Sequence, residues 1–175
     1  MLKLQTVWNF EFEYWDLFGN WYLEIEFMLK ILFIGDMVGK ISRKAAKQLI
    51  PEIRKKYSPD LVIANVENVA HGSGITEKIF HELKTYGIDF MTLGDHAFDR
   101  NETSQLLDQQ KSSIIRPANY PPNAPGSGHS LIEVGSKKIL IINLLGRVFM
   151  KMDYDCPFRI TDEILKKYEH ESISA

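Results

Sequence analysis

The segment LKILFIGD, residues 29–36, decides the fold, because it is almost continuously apolar and then stops at Gly35 and Asp36. A strand that is buried on both faces has this composition, whereas a half-exposed strand alternates apolar and polar residues. Strands of this kind occur in parallel sheets. The segment therefore predicts the first strand of a parallel sheet, with Asp36 just past its end.

Two further strands, with helices between them, are expected after the first. Residues 42–57 carry apolar side chains at helical spacing, which predicts a surface helix. Residues 60–65 and 88–93 are again short apolar runs, and between them lies a helix that Thr76 can cap and Gly87 can end. The alternation of strands and helices predicts right-handed crossovers and an α/β fold with a parallel sheet.

The rest of the pattern is less regular. A short helix is expected over residues 101–108, a proline-rich loop over 116–126, a β-hairpin over 130–134 and 138–143, and a last helix over 161–168. We interpret the hairpin as the beginning of a second sheet.

Residues 1–27 differ from the remainder of the chain. They contain all three tryptophans and several acidic residues but only one lysine, and they follow neither a helical nor a strand period. A signal peptide would need a basic start and an unbroken apolar centre. We interpret residues 1–27 as an N-terminal extension and residues 28–175 as the folded domain. For the extension, we favour an artefact of a start site assigned too far upstream over a segment that is particular to this protein.

The composition excludes several classes of protein. The 21 Lys and Arg against 23 Asp and Glu give a net charge of −2, so no overall positive field attracts RNA or a membrane surface. The single cysteine, Cys156, excludes an intrachain disulfide and a multi-thiolate metal site. No apolar run is long enough to span a membrane. The sequence predicts a soluble, cytoplasmic protein without a strong nucleic-acid patch.

Polar side chains follow each of the three strands. Asp36 follows the first, Glu67 and Asn68 follow the second, and Asp95 and His96 follow the third. The carboxyl ends of parallel strands meet at one edge of a sheet, where ligands bind. Carboxylate and amide oxygens suit hard cations, and two such cations can activate a hydroxide to attack a phosphodiester. The pattern indicates a two-metal site with His96 as the acid for the leaving group.

Each of these residues also has a structural interpretation. Asp36 could be a helix N-cap, Asn68 could stabilise a turn and Glu67 could be solvated. For His71, a role in the loop is favoured over contact with substrate. Three strands that end in the same way favour the metal site.

Six motifs in order resemble one known family. They are IGDMVG (34–39), NVENVAHGSGIT (65–76), GDHAFD (94–99), RPAN (116–119), NLLGRVFM (143–150) and DCPF (155–158). Over about residues 28–170 the chain resembles the YmdB-type family of bacterial metallophosphoesterases.

The resemblance implies a calcineurin-like four-layer α/β/β/α sandwich with a dinuclear iron or manganese centre. It also implies hydrolysis of phosphodiesters such as 2′,3′-cyclic nucleotides. The metal ligands that it implies are Asp36, Glu67, Asn68 and Asp95, and His96 becomes the leaving-group acid or a phosphate-orienting imidazole. The candidate substrate-binding residues are His71 and Asn119.

Two departures from the family pattern matter. Asp95 stands where the family usually has Asn, and its extra negative charge would tighten metal binding and repel an anionic phosphate. The family also brings further histidines from its second half, including a His-x-His pair, and no such pair follows Arg147 here. We therefore expect a fold that is incomplete at its C-terminus, with apolar edges that favour aggregation.

Three hypotheses remain open at this point. The first is a metal-dependent phosphodiesterase acting on a small phosphodiester or cyclic nucleotide. The second is a catalytically impaired phosphate-binding, nucleotide-binding or regulatory domain. The third, a doubly wound nucleotide-binding domain without metal, lacks the glycine-rich loop that it would need. Homo-oligomerisation is left open.

Overall fold

A computed structural model describes residues 28–110, 113–150 and 154–175. The interpretation of residues 1–27 lies outside this part. The elements follow in the order β1 (Ile31–Ile34), α1 (Gly39–Tyr57), β2 (Leu61–Asn65), α2 (Glu77–Thr85), β3 (Phe90–Thr92), α3 (Thr103–Gln109), β4 (Ile114–Ile115), β5 (His129–Val134), β6 (Lys137–Ile142) and α4 (Pro157–Lys167). None of the helices in the described ranges is both long and apolar enough to cross a bilayer.

A four-stranded parallel sheet forms the centre of the fold. Its strands lie in the order β1-β2-β3-β4, and neighbouring strands are parallel throughout. Every residue of β3 and β4 is buried, and so are the first four residues of β2. The predicted parallel sheet and mixed α/β class are therefore confirmed. Burial on both faces explains the apolar runs of β2 and β3, but the same expectation for β1 was wrong, because Ile31 and Phe33 are exposed and Leu32 and Ile34 are only half-buried at the edge of the sheet.

Helices α1 and α2 cover one face of this sheet. Ala46 and Ile50 of α1 and Phe80 and Leu83 of α2 enter the larger core cluster. Thr76 caps α2 as predicted, because its hydroxyl accepts a hydrogen bond of 3.2 Å from the backbone N–H of Ile79. The two helices thus fix the loops at the carboxyl ends of β1 and β2.

The hairpin β5–β6 covers part of the opposite face. Its strands are antiparallel, as predicted, and form a separate two-stranded sheet. Ile139 of β6 packs on a second apolar cluster, whose members from the parallel sheet are Leu61, Ile63, Phe90 and Ile115. The hairpin itself is only half-buried, since Ile139 is its one buried residue.

Three elements show the largest differences from the sequence-based prediction. β4 was not predicted, because the two residues Ile114–Ile115 are too few to show a period. α1 begins at Gly39 rather than at residue 42. α4 begins at Pro157 rather than at residue 161, because proline fits the first turn of a helix, where its missing N–H costs nothing.

Candidate metal centre

The loops after β1, β2 and β3 lie side by side at the carboxyl edge of the sheet. The backbone N–H of Met37 donates to the carbonyl of Asn65 over 3.0 Å, and the N–H of Val66 donates to the carbonyl of Thr92 over 2.9 Å. These bonds extend the pairing of the strands past their ends. The chain therefore delivers the three predicted polar segments to one edge.

Asp36 and Asn68 are in direct contact. The Asn68 side-chain amide donates a 2.8 Å hydrogen bond to Oδ1 of Asp36 across 32 residues of sequence. The backbone carbonyl of Asn68 also accepts hydrogen bonds from the N–H groups of Gly39 and Gly72, at 2.9 and 3.1 Å. Asn68 thus joins the first two loops. The sequence predicted that Asp36 and Asn68 lie at the same edge of the sheet, and this hydrogen bond shows that they are neighbours.

The carboxylate of Glu67 lies against the backbone of Gly94. A Cβ atom on residue 94 would stand only 2.0 Å from Oε2 of Glu67, so a side chain there would occupy the space of the carboxylate. Oε2 also accepts a long 3.4 Å hydrogen bond from the backbone N–H of His96. Glycine at position 94 is thus required for the loop after β3 to approach Glu67 so closely.

The carboxylate of Asp95 acts on that of Glu67. Burial raises the pKa of Glu67, the N–H of His96 lowers it, and the negative charge and hydrogen bond of Asp95 raise it again. Among the described residues, neither carboxylate takes part in an ion pair. Two close carboxylates without a cation carry a repulsion that a bound metal ion would offset.

Asn65 supplies a second sign that a ligand belongs here. Its side-chain amide nitrogen lies 3.4 Å from Oε1 of Glu67, while its Oδ1 is buried and has no hydrogen-bond partner in the described part of the chain. A buried acceptor without a partner is unusual and calls for a ligand or water. The oxygen donors at this edge therefore fit a hard cation.

The side chains that are present do not form a complete protein cage. Within the described ranges, no group of three or more His, Cys, Asp or Glu side chains could hold a metal ion. Amide oxygens such as those of Asn65 and Asn68 would have to add to the carboxylates of Asp36, Glu67 and Asp95. The proposed metal ligands therefore remain predictions that this donor chemistry supports.

His96 is held by a carboxylate that sequence analysis did not single out. Its Nδ1 lies 2.6 Å from Oδ2 of Asp99, which also accepts a hydrogen bond from the hydroxyl of Ser73. The Asp99 hydrogen bond raises the pKa of His96, burial opposes this, and the charges of nearby carboxylates raise it further. Ser73 and His96 both lower the pKa of Asp99. In the sequence, the spacing His-x-x-Asp was the signal that could have indicated this pair.

Arg100 fixes the loop that follows β2. Its Nε donates to the carbonyl of Ser73 over 3.0 Å, and a terminal guanidinium nitrogen donates to the carbonyl of Ala70 over 2.8 Å. His71 lies in this loop with a positive φ of 61° and an exposed side chain. Its assignment as a substrate-binding residue remains a prediction.

Asn119 has a clear structural environment. Its side chain is fully buried, and its amide nitrogen donates to the carbonyls of Leu145 and Asp155 at 2.9 and 3.1 Å. Its amide oxygen accepts from the N–H of Leu145 at 2.9 Å. These three bonds favour a role in joining loops, and its contact with substrate remains a prediction.

Tyr120 contacts the backbone of the loop after β3, and the sequence did not indicate this role. Its hydroxyl is within 3.3 Å of the carbonyl of Gly94 and 3.0 Å of that of Asp95. Burial and a hydrogen bond with Tyr154 raise the pKa of this phenol. Because the contact spans 25 residues of sequence, no local motif could reveal it.

Several known proteins are similar to this chain in sequence and in structure. Residues 32–175 match the model of the family described as YmdB-like protein. A Bacillus subtilis (strain 168) protein named 2′,3′-cyclic-nucleotide 2′-phosphodiesterase is 41% identical over 137 residues, which is 78% of this chain and 51% of the relative.

Two solved structures are similar as well. A hypothetical protein from Thermus thermophilus superposes with a TM-score of 0.74 and 40% identity, over 79% of this chain and 53% of that one. A structure from Mycoplasma pneumoniae, described as a novel phosphatase, gives a TM-score of 0.73 and 32% identity, over 79% and 51%. The chain thus spans about half the length of the proteins that it matches. By this match over most of its length, the chain belongs to the YmdB-like family.

Proposed function

We propose that this chain carries the first half of the active site of a metal-dependent phosphodiesterase in a calcineurin-like α/β/β/α sandwich. The observation that carries the proposal is the pair of carboxylates Glu67 and Asp95, which interact beside Asn65, whose buried Oδ1 has no hydrogen-bond partner among the described residues. The name of the Bacillus subtilis relative supports 2′,3′-cyclic nucleotides as the substrate class.

Four side chains would hold the metal ions. Asp36 and Asn68 would contribute from the first two loops, and Glu67 and Asp95 from the second and third. We propose two ions, iron or manganese, which would supply Lewis acidity toward the phosphoryl oxygens and an activated water. The second carboxylate beside Glu67 would tighten metal binding and weaken the binding of an anionic phosphate.

His96 would deliver a proton to the departing alkoxide. The hydrogen bond between its Nδ1 and Asp99 leaves Nε2 as the ring nitrogen available to a ligand. Its raised pKa keeps the imidazole protonated to higher pH, as a general acid requires. Asp99 would act as a positioning residue through His96.

The test uses the full chain with Mn²⁺. We expect the chain to bind Mn²⁺, and we expect Mn²⁺ to stimulate cleavage of bis-p-nitrophenyl phosphate and of 2′,3′-cyclic AMP in a version of the chain that is fused to the unmatched half of the Thermus thermophilus relative. Glu67→Gln should lose metal binding in the chain, and His96→Gln should lose turnover in the fusion by about 100-fold or more while it keeps the metal. Glu133→Gln, on the exposed part of the hairpin, is the matched control. Absence of both bound metal and Mn²⁺-stimulated turnover would overturn the proposal.

A second candidate is a phosphate-binding or nucleotide-binding domain without turnover. The lack of a three-residue His, Cys, Asp or Glu group among the described residues favours it. It predicts that nucleotide binding survives EDTA and strengthens in Asp95→Asn, because one negative charge is removed from the site. Loss of nucleotide binding in EDTA would favour the metal-dependent enzyme instead.

We also propose a cytoplasmic location. The single cysteine, Cys156, is unpaired in the described part of the chain and is compatible with a reducing compartment. Fractionation of cells that express a tagged chain tests this, and recovery in the membrane pellet after washing with high salt would contradict it.

A further inference from the structure

Two exposed apolar side chains lie close to the first predicted metal ligand. Val38 follows Asp36 by two residues and is 51% exposed, and Ile41 is 84% exposed. Val38 is the N-cap residue of α1 and Ile41 belongs to its first turn, so the three-residue spacing places them on one face. Neither side chain is part of an apolar core cluster in the described ranges. They form apolar surface at the edge of the sheet that carries the acidic donors.

Asn68 brings the loop after β2 next to this surface. Its backbone carbonyl accepts hydrogen bonds from the N–H groups of Gly39 and Gly72, at 2.9 and 3.1 Å. Because both N–H groups contact one oxygen, the two backbones lie side by side. Val38 directly precedes the first of these glycines and His71 directly precedes the second. His71 is therefore a neighbour of the apolar pair.

The loop holds His71 in a conformation that is unfavourable for a residue with a side chain. Its φ is 61°, in the left-handed region, where glycine would fit at lower cost. Arg100 donates to the carbonyls of Ala70 and Ser73, on either side of this position, so the surrounding contacts maintain the conformation. Backbone strain that is maintained in this way is concentrated at sites that bind ligands.

The imidazole of His71 is available to a ligand. Its side chain is exposed and has no hydrogen bond, ion pair or ring contact with the described part of the chain. Each of the other four histidines has such a contact: His81 with Glu77, His96 with Asp99, His129 with the ring of Tyr168, and His170 with Glu169.

We propose that the edge rim, formed by Val38, Ile41 and His71, binds the nucleobase of a nucleoside phosphate whose phosphoryl group lies at the metal centre. The imidazole would stack on a face of the base, as histidine does in sites that bind unpaired bases. The two aliphatic side chains would cover its apolar edge. The inference deepens the proposed function and rests on it, because the phosphoryl group is placed at the predicted metal ligands.

The size and position of the edge rim favour a small ligand. A stable protein–protein contact buries about 800 Å² on each partner, and three side chains do not supply such an area. Hard cations and their carboxylate ligands bind phosphate oxygens and give no affinity for a base. A site that selects nucleotides therefore needs a stacking and apolar surface beside its metal ions, and the edge rim adjoins Asp36 and Asn68 through hydrogen bonds.

Calorimetric titration of the full 175-residue chain with Mn²⁺ present tests the proposal. The nucleotide probe is adenosine 3′-monophosphate, and inorganic phosphate and ribose 5-phosphate are the probes that lack the base. We expect the nucleotide to bind about tenfold more tightly than either of the other two, because one base gains a stacking contact.

Substitutions in the edge rim should remove this preference. His71→Leu keeps an apolar side chain but loses the ring, and Ile41→Gln loses the apolar contact. Each should weaken binding of the nucleotide by about fivefold or more and leave binding of inorganic phosphate and Mn²⁺ unchanged. His71→Phe retains an aromatic ring and should retain the preference.

Two substitutions at exposed positions outside the edge rim are the matched controls. His170→Leu removes an exposed imidazole, and Val148→Gln changes an apolar side chain that is 76% exposed. Both should leave the preference for the nucleotide unchanged. Because all the substituted side chains are exposed, their urea midpoints should match that of the unsubstituted chain.

The outcomes separate this proposal from the metal-dependent enzyme. A nucleotide that binds no more tightly than phosphate, or a preference that survives both His71→Leu and Ile41→Gln, would overturn the edge rim. Loss of Mn²⁺ binding in His71→Leu would assign the imidazole to the metal centre instead, and a dimer that Ile41→Gln dissociates in sedimentation would assign the surface to a second copy. A preference that depends on His71 in a chain that binds no Mn²⁺ would support the edge rim and overturn the metal-dependent function.

Discussion

The two ends of the parallel sheet both carry carboxylates, but they use them differently. At the amino end, Asp89 accepts a 2.8 Å hydrogen bond from the N–H of Val62 and pairs with Arg54. Asp60 accepts a 2.7 Å hydrogen bond from the N–H of Lys30. Each of these carboxylates is neutralised or hydrogen-bonded by the chain itself, so this end of the sheet is complete.

At the carboxyl end, Glu67 accepts only a long hydrogen bond from the N–H of His96, and neither Glu67 nor Asp95 takes part in an ion pair among the described residues. Asp95 helps to raise the pKa of Glu67, and Asn65 has a buried oxygen without a partner among the described residues. Asp89 and Asp60 at the amino end stabilise the fold, whereas the repulsion between Glu67 and Asp95 at the carboxyl end reduces stability unless a ligand binds. The difference separates structural from functional acids in one sheet.

Removal of a carboxylate from each end is the strongest test of this comparison. Asp89→Ala leaves the N–H of Val62 and the guanidinium of Arg54 without their partner and should lower the free energy of unfolding by about 2 kcal/mol. Asp95→Ala should leave it unchanged or raise it, because the repulsion with Glu67 disappears. Urea unfolding in EDTA measures both. Equal losses at the two positions would contradict the distinction between the ends.

Glycine substitutions give a smaller effect that again differs between the ends. Gly87 has a φ of +94°, and a Cβ there would stand 3.0 Å from Nε of Arg54. Gly87→Ala should therefore cost about 1–2 kcal/mol of stability and leave Mn²⁺ binding unchanged. Gly94→Ala should cost less, because the end of the Glu67 side chain can move, but it should weaken Mn²⁺ binding by about tenfold or more. Calorimetric titration with Mn²⁺ and urea unfolding separate the two results.

The Tyr120 hydroxyl gives a smaller effect still. Tyr120→Phe removes its hydrogen bonds to the carbonyls of Gly94 and Asp95, and we expect a loss of about 1 kcal/mol in the free energy of unfolding. Tyr57 is 38% exposed, and Tyr57→Phe should change stability by less than about 0.5 kcal/mol. An effect at Tyr120 no larger than at Tyr57 would show that the hydroxyl does not support the loop.

The smallest predicted effect concerns the slope of the free energy of unfolding against pH. The pKa of Glu67 is raised above its ordinary value of 4.5 in the folded state, so the folded protein binds more protons than the unfolded chain from that pH upward. Stability of the metal-free protein should therefore fall as pH rises through the folded pKa. Glu67→Gln should flatten this part of the curve, and Glu133→Gln should not. Urea midpoints between about pH 4 and 8 in EDTA check the slopes, and an unchanged slope in Glu67→Gln would contradict the prediction.

The sequence predicted the elements whose signal is local. Continuous apolar runs indicated β1, β2 and β3, and the same runs placed Asp36 and Glu67 at one edge. Burial on both faces accounts for the runs of β2 and β3, whereas β1 lies at the edge of the sheet with Ile31 and Phe33 exposed. β4 escaped prediction because its two residues pair with β3 through tertiary packing, which leaves no period in the sequence. The boundaries of α4 were missed because Pro157 was not taken as a first-turn residue.

The site was predicted in part for a similar reason. Donors that directly follow strands were found from spacing, whereas Asp99 and Tyr120 act through contacts that only the folded chain forms. Asn119 shows the opposite difficulty, because an amide that binds backbone and an amide that binds substrate look alike in a sequence. The burial of its side chain distinguishes them.

The ion pair between Arg54 and Asp89 also bears on the order in which the protein can fold during its synthesis. This bond closes 35 residues of sequence, so the amino end of the sheet can be secured as soon as β3 has left the ribosome. The opposite end has to wait longer, because Asn143 secures the carbonyl of Leu93 across 50 residues. A nascent chain would thus acquire its scaffold before the loops that carry its acidic donors are fixed.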